Sequence, residues 1–380
     1  MKLAMTMMVR DESDIIGAMV EHHLRQGVDV LIVTDNGSVD GTVDILEGFL
    51  GDGRVELRHD PVQHKQQSPT VTQMARDAYT KYDADWVLNA DADEFWIPKN
   101  LGLTLAQAFE QIPRELGAFN VDVVDMTGPP AASGTGLHRL AYQDHRTPEH
   151  LNAVGLFAHS THNVAHVGRD DVTVVQGNHF VNTASQGDPP PELDIMVHHF
   201  PWRSWEQFST KVRNAGSAYE NQTILTPSPN HHGMRDYRRL LDGTLLASYV
   251  LRHPSNDELA HGVDTGEFIR DDRISLSVPS PVADVALDLE LVAQERALGL
   301  AIHRLESALA SQTVDLRTTQ EALAQARHHN DEFAERLALR EAAFIELGDR
   351  ANGLEQQNRA LLQRRLVRLV DRLTTIGRLR

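Results

Sequence analysis

One stretch, Trp86-Val87-Leu88-Asn89-Ala90-Asp91-Ala92-Asp93-Glu94-Phe95-Trp96, constrains this chain more than any other. Its apolar start predicts a buried central strand, and three carboxylates follow within four residues. In extended backbone side chains alternate faces, so Asp91 and Asp93 are expected on one side and Glu94 on the other. Two carboxylates converging at the end of a buried strand repel unless a cation sits between them. A hard divalent ion, Mg2+ or Mn2+, meets that need and keeps positions open for phosphate oxygens. A solvated acidic turn is the competing reading; the bulky Phe95 and Trp96 that follow weigh against it.

Around this stretch the chain alternates short apolar runs with amphipathic segments. Strands are predicted at Leu3 to Val9, Val28 to Val33, Arg54 to Arg58, Asp85 to Ala90 and Gly117 to Val124. Helices are predicted from Ile15 to Gln26, Val43 to Phe49, Pro69 to Tyr82 and Leu103 to Gln111. That alternation predicts an α/β domain with a doubly wound, mainly parallel sheet, whose ligand crevice lies at the carboxyl ends of the strands. Thr127 to Gly136 reads as a loop, and Val172 to Phe180 as an alternating strand closing in a Gly-Asn-His turn. Asp194 to Phe200 reads as a strand leading into a helix with Phe208, Lys211, Val212 and Ala215 on one face.

Composition excludes several classes. The 380 residues include no cysteine, so a disulfide framework, a thiolate metal site and a cysteine nucleophile are all out. A formal charge of −18 argues against a general nucleic-acid binder. No apolar run is long enough to span a bilayer, and the expected address is the cytoplasm.

The order Val9-Arg10-Asp11-Glu12, Val33-Thr34-Asp35-Asn36-Gly37-Ser38-Val39-Asp40-Gly41-Thr42, Ala75-Arg76-Asp77 and Asp91-Ala92-Asp93-Glu94-Phe95 resembles a family 2 glycosyltransferase of the GT-A fold. The nearest branch is the one whose metal motif reads Asp-x-Asp-Glu-Phe, and the resemblance covers roughly residues 1 to 220. It implies a mixed Rossmann-like sheet and an inverting, metal-dependent transfer of a sugar from a nucleotide-diphosphate donor, a UDP-sugar first among them. Thr6, Arg10, Glu12 and Asp35 would then surround the base and ribose, and Arg76 and Lys211 the diphosphate. Asp91 would face the ribose or a metal-bound water, with Asp93 the direct ligand of the ion and His199 completing its shell. Asp194, Glu192 and His179 are the candidates for taking the acceptor proton, with Asp194 first; Asp188 falls in the same stretch. Other readings stay open: a turn and helix cap for Asp35, a solvated helix charge for Arg76, a core histidine for His199, and solvated loop acids beside Pro189-Pro190-Pro191. The chain departs from the family pattern at Asp77, where relatives carry asparagine.

From residue 284 the pattern changes to a heptad seam. Ile302, Leu309, Leu316, Leu323, Asn330, Leu337 and Phe344 recur every seven residues, with Leu291, Leu298, Leu305, Phe333, Leu347, Leu354 and Leu361 three positions further on. A coiled coil that joins copies of the chain is expected. Gln312, Thr319, Ala326 and Arg340 at the second position and Asn330 at the first interrupt the seam, which suggests a parallel dimer of modest stability; packing back on the catalytic domain is the alternative. Residues 359–380 hold seven arginines and one acid, beside Leu362, Leu366, Leu369, Leu373 and Ile376. Such a basic amphipathic helix either lies on an anionic membrane surface, at the inner face, or simply ends the coil. The expected organisation is therefore a GT-A domain over 1–225 (nucleotide-sugar half 1–100, acceptor half 101–225), a helical extension over 226–283, the coil over 284–358 and the basic helix over 359–380. Expected partners are the nucleotide sugar, a glycan or lipid-linked acceptor and further copies of the chain, without nucleic acid. The competing functions are a sugar-phosphate nucleotidyltransferase and a non-catalytic GT-A-like scaffold.

Overall fold

The structure, a computed structural model, describes residues 1–60, 67–220 and 232–377. The expected domain boundary at 225/226, the side chain of Ile376 and residues 378–380 lie outside the described residues. Two compact units are present, residues 1–304 and 305–380.

The first unit begins with strand β1 (Leu3–Val9), helix α1 (Ile16–Arg25), β2 (Val30–Asp35), α2 (Thr42–Glu47), β3 (Val55–His59) and α3 (Gln67–Thr80). Then come β4 (Trp86–Asn89), β5 (Glu94–Pro98), α4 (Leu105–Gln111), β6 (Ala118–Thr127), β7 (Ala131–Ser133), β8 (Tyr142–Asp144), α5 (Pro148–Ala153) and β9 (Asn163–Val167). Next are β10 (Ile195–His199), α6 (Trp205–Glu220), α7 (His232–Leu241), α8 (Leu245–Arg252) and α9 (Asn256–Thr265). Last are β11 (Phe268–Arg270), α10 (Arg273–Ser277), β12 (Val285–Ala286) and α11 (Leu289–Gly377), whose first turns belong to this unit.

Strand β1 is the centre of the sheet, parallel to β2 on one side and to β4 on the other. Its alternation is read out by two cores. Leu3, Met5, Met7 and Val9 enter the larger one with α1 and α4, while Ala4 enters the smaller one with Val71, Met74, Ala75 and Ala78 of α3. A strand buried on both faces favours apolar residues on both, which is why Leu3 to Val9 reads as an apolar run broken only by Thr6, whose hydroxyl is hydrogen-bonded. Gly27 ends α1 with φ +90°, and a Cβ there would stand 2.6 Å from Cβ of Ala106. Glycine thus serves both the left-handed turn and the close approach to α4.

Beyond β4 the sheet becomes mixed. β9 runs antiparallel to β4, β6 antiparallel to β9, and β10 parallel to β6 and antiparallel to β5. The expected fold class, a GT-A-like mixed α/β sheet followed by a helical C-terminal arm, is the one observed.

Several local expectations are corrected. Asp91 to Asp93 is a tight turn, closed by the Glu94 N–H on the Asp91 carbonyl at 3.2 Å, and a new strand starts at Glu94. Residues 172–180 form no strand, only a single bridge between Val174 and Val181. The 127–136 loop carries the short β7, paired with β12. Strand β9 lay unrecognised in the histidine-dense region because its five residues, Asn163 to Val167, show no strict alternation and carry two polar residues although four of the five are buried. Among the described residues no helix is long and apolar enough to cross a membrane.

Candidate active site

Four loops meet at the carboxyl ends of the strands: Arg10 to Asp14 after β1, Asp35 to Ser38 after β2, Asp91 to Asp93 after β4, and Phe200 to Ser204 after β10. Each strand delivers its loop to the same edge because β1, β2 and β4 are parallel, and β10 runs back along β5 to bring His199 opposite Glu94. This is the crevice in which open α/β sheets bind ligands.

Asp93 lies at its centre, 2 % exposed. Lys211 Nζ stands 2.7 Å from its Oδ2, Arg203 Nη1 3.6 Å and His199 Nε2 3.8 Å. Burial alone would raise the Asp93 carboxyl, but Lys211, His199 and Arg203 outweigh it and hold the group well below the usual carboxylate range. Asp91 is pushed the other way, by burial first and by the charge of Asp93 second. Its Oδ1 accepts from Gln67 Nε2 at 3.0 Å and Asn178 Nδ2 at 3.1 Å. Glu94 is buried between them in the sense opposite to Asp93: burial and Asp91 raise its carboxyl far above the ordinary range. Its Oε2 accepts from the Asp91 N–H at 3.0 Å and from Asn163 Nδ2 at 2.7 Å.

His199 is held by a second carboxylate. Its Nδ1–H donates to Asp125 Oδ1 at 2.8 Å, and Ser160 Oγ donates to the same oxygen at 2.6 Å. Burial would depress the imidazole, but Asp125 and Asp93 lift it to about 9. Beneath the turn lies Arg203, fully buried. It donates from Nε and Nη2 to the two oxygens of Asp14 at 2.7 and 2.9 Å, and from Nη2 to Glu12 Oε2 at 2.5 Å. A planar, bidentate guanidinium is the group that suits such a site.

Among the described residues no three metal-ligating side chains converge closely enough to hold an ion as they stand. The donor chemistry nevertheless fits a hard divalent cation. A ligating histidine presents one ring nitrogen while the other is fixed by a carboxylate, and Asp125–His199 is such a pair, with Nε2 turned to Asp93. The Lys211 ammonium on Asp93 is a cation standing in the same place.

The expected residues divide sharply. Asp91, Asp93, His199 and Lys211 come together at the turn after β4. Arg10 stands at the rim, its Nη1 donating to the Asn36 carbonyl at 3.3 Å. Thr6 does not line a nucleotide pocket: it is fully buried, its hydroxyl donating to Asn89 Oδ1 at 2.7 Å across the β1–β4 pair. Glu12 is turned inward to Arg203 rather than toward a ribose. Asp35 follows the turn-and-cap reading, its carboxylate accepting from the N–H groups of Gly37 at 3.0 Å and Ser38 at 3.2 Å. Arg76 braces the 172–173 segment, donating from Nε to the Val172 carbonyl at 2.7 Å. His198 is structural, fully buried 3.1 Å from Asp271.

Asp194 and Glu192 are corrected outright. Asp194 precedes β10 whereas His199 ends it, which places the two about 16 Å apart at the rise of a strand. Asp194 pairs instead with Lys99 at 2.6 Å, and Glu192 is exposed in the turn before it. Asp188 is likewise exposed. His179 stays close: it follows Asn178, which binds Asp91, and its Nδ1–H donates to the His162 carbonyl at 2.9 Å. Sequence reasoning missed Arg203, Asp14, Asp125, Ser160 and Asn178. Only Arg203 and Asn178 stood in segments that carried a signal, the Pro-Trp-Arg-Ser segment before α6 and the Gly-Asn-His turn.

Residues 4–116 match the model of glycosyltransferase family 92, a segment from β1 to the turn before β6 and less than half of the chain. That match supports a glycosyltransferase; the family named is 92, whereas the expectation from the residues named family 2. No curated protein matches the chain. Among solved structures, S. aureus TarS 1-349 is similar at 11 % identity, over 82 % of this chain and 92 % of that one, with a TM-score of 0.32. The same protein in complex with UDP-GlcNAc is similar at 12 % identity over the same shares, with a TM-score of 0.34. A 4-diphosphocytidyl-2C-methyl-D-erythritol synthase is similar at 13 % identity over 51 % of this chain and 74 % of that one, with a TM-score of 0.25. At these values the structural likenesses carry no assignment of activity.

Proposed function

We propose that the chain is a glycosyltransferase that moves a sugar from a nucleotide-diphosphate donor to an acceptor hydroxyl, with inversion. The observation that carries this reading is the buried Asp93 carboxylate, ringed by Lys211, Arg203 and His199 at the strand ends. The family match over residues 4–116, which supply β1 to β5, supports it. A UDP-sugar is the first donor to try, and a glycan or lipid-linked hydroxyl the acceptor.

Asp93 and His199 would hold Mn2+ or Mg2+, with Asp91 beside them. When bound, the ion supplies neutralisation of charge on the departing diphosphate. The chain's own residues do the rest. Lys211, half exposed, offers a mobile ammonium to phosphate oxygens, and the buried Arg203 adds a fixed positive field from below. Glu94, whose carboxyl is pushed upward by burial and by Asp91, braces the turn through the Asp91 N–H and Asn163. The acceptor proton falls to His179: with Nδ1–H committed to the His162 carbonyl, Nε2 carries the lone pair.

The nucleotidyltransferase reading wants a glycine-rich basic loop after β1. The loop is Arg10-Asp11-Glu12-Ser13, and its acid Glu12 holds Arg203. The scaffold reading is answered by experiment. Incubation with UDP- and GDP-sugars, Mn2+ and a panel of glycan and lipid-linked acceptor hydroxyls should release nucleoside diphosphate from one donor as its sugar joins the acceptor, and Asp93→Asn should slow it about a hundredfold or more. No release from any donor would favour the scaffold, and equal release by Asp93→Asn would remove Asp93 from the site.

A further inference from the structure

The second unit is one continuous helix, the part of α11 from Leu305 onward. Apart from Glu306, every described side chain from Leu305 to Thr375 is exposed. The exposed apolar residues are not scattered. Leu309, Leu316, Leu323, Leu337 and Phe344 fall at one heptad position, and Leu305, Phe333, Leu347, Leu354 and Leu361 at the position three further on, each between 50 and 80 % exposed. Up to Leu361 only Val314, Leu339 and Ile345 are large, apolar, exposed and off this seam. Helices take most of their stability from burying such a face, and a monomer does not leave one of this length in water.

We propose that the occupant of this face is the same face of a second copy of the chain, paired parallel and in register. The charges beside the seam argue for that partner and that direction. In a parallel pair each residue just before a first core position meets the residue five further along the partner helix. Arg336 then meets Glu341 and Arg350 meets Glu355, each pair occurring twice by symmetry, whereas Asp315 meets Gln320 and Ala322 meets Arg327. None of these flanking pairs opposes like charges. Asn330 and Asn358 each face their own counterpart at a first core position, the arrangement by which buried asparagine fixes two strands in register. Arg340 is the one charged second core position, and its long stem lets the guanidinium reach water past the seam.

The absence of native cysteine makes the register directly testable in the full chain. Sedimentation equilibrium should give twice the 42.4 kDa chain mass. Thr319→Cys, on the seam, should form an intermolecular disulfide on mild oxidation, and Gln356→Cys, on the outer face, should not. Leu347→Asp with Leu354→Asp should return the single-chain mass and lower the helical circular dichroism. A single-chain mass for the unaltered protein overturns the proposal, including a monomer that instead sediments with phosphatidylserine vesicles. A trimer or tetramer, or a dimer in which Cys at 319 does not cross-link, overturns it as well. Neither result bears on the sugar-transfer reading, which rests on the other unit.

Discussion

Arg203 and Asp125 do as much for the candidate site as the acidic motif itself. An arginine without exposure is tolerable only where anions surround it, and Glu12, Asp14 and Asp93 do so. Arg203→Ala leaves those acids facing one another in low dielectric and should cost about 3–5 kcal/mol of unfolding free energy by chemical denaturation. Asp125→Asn removes the anion behind His199 and should weaken Mn2+ binding by about ten- to a hundredfold in a calorimetric titration, with the fold intact. Unchanged affinity would detach His199 from any metal. Asp91, Asp93, His199 and Lys211 were legible because short motifs name them in order. Arg203 was not, since its partners Glu12 and Asp14 lie almost two hundred residues away and only the fold unites them. Asp194 misled because nearness in sequence to His199 is distance along a strand.

Strand β5 shows what the sequence pattern hid at the level of elements. It pairs with β10 on one edge only, and the other edge is finished by two side chains of α1. His23 Nε2 accepts the Trp96 N–H at 3.1 Å while its Nδ1–H donates to the Met19 carbonyl at 2.9 Å. The Nε2–H of His22 donates to the Trp96 carbonyl at 3.0 Å. Both rings are buried and neutral; burial, chiefly, lowers His22 to about 4 and His23 well below its ordinary value. A histidine depressed in the folded state contributes stability that is present above the unfolded value of about 6.5 and is lost as pH falls toward the folded one. His23→Gln keeps an acceptor for Trp96 but does not titrate. The stability gap between the unaltered protein and this variant should therefore shrink between pH 7.5 and 5.5, by about 1.4 kcal/mol per unit below 6.5. A constant gap would mean that His23 titrates alike in the folded and unfolded chain. Helix periodicity announced α1, yet it could not say that His22 and His23 are edge caps. The turn of 174–181 is a similar case: alternation suggested a strand, but Gly177 at φ +85° and Asn178 at φ +62° reverse the chain. A Cβ at Gly177 would stand 2.8 Å from His179 Nε2. Gly177→Ala should lower the transfer rate about tenfold or more while leaving donor affinity unchanged, a split read from kcat and KM, if His179 handles the acceptor proton.

At the scale of the whole chain, fold class and the change of character at the C-terminal quarter were both legible, since periods of two, 3.6 and seven leave distinct marks in apolar residues. Where the long helix stops belonging to the first unit was less so. The heptad seam reads continuously through Leu298 and Ile302, yet Gly299 is packed on Ala247 and Leu251 of α8, and Arg296 donates to the His253 carbonyl at 2.6 Å. Every candidate site residue and all three apolar cores lie within residues 1–304. A chain ended after Arg304 should accordingly melt cooperatively and release nucleotide within about twofold of the full chain's rate on a small soluble acceptor. Loss of folding on that truncation would give the second unit a structural part in the first.

The central claim is that Asp93 and its surrounding cations form a metal-assisted site for a nucleotide diphosphate. Thermal unfolding of the full chain with UDP, GDP and CMP, each with and without Mn2+, tests it most directly, with Asp93→Asn alongside. One diphosphate should raise the melting temperature only when the metal is present, and Asp93→Asn should abolish that rise. A shift indifferent both to metal and to the substitution would contradict the claim.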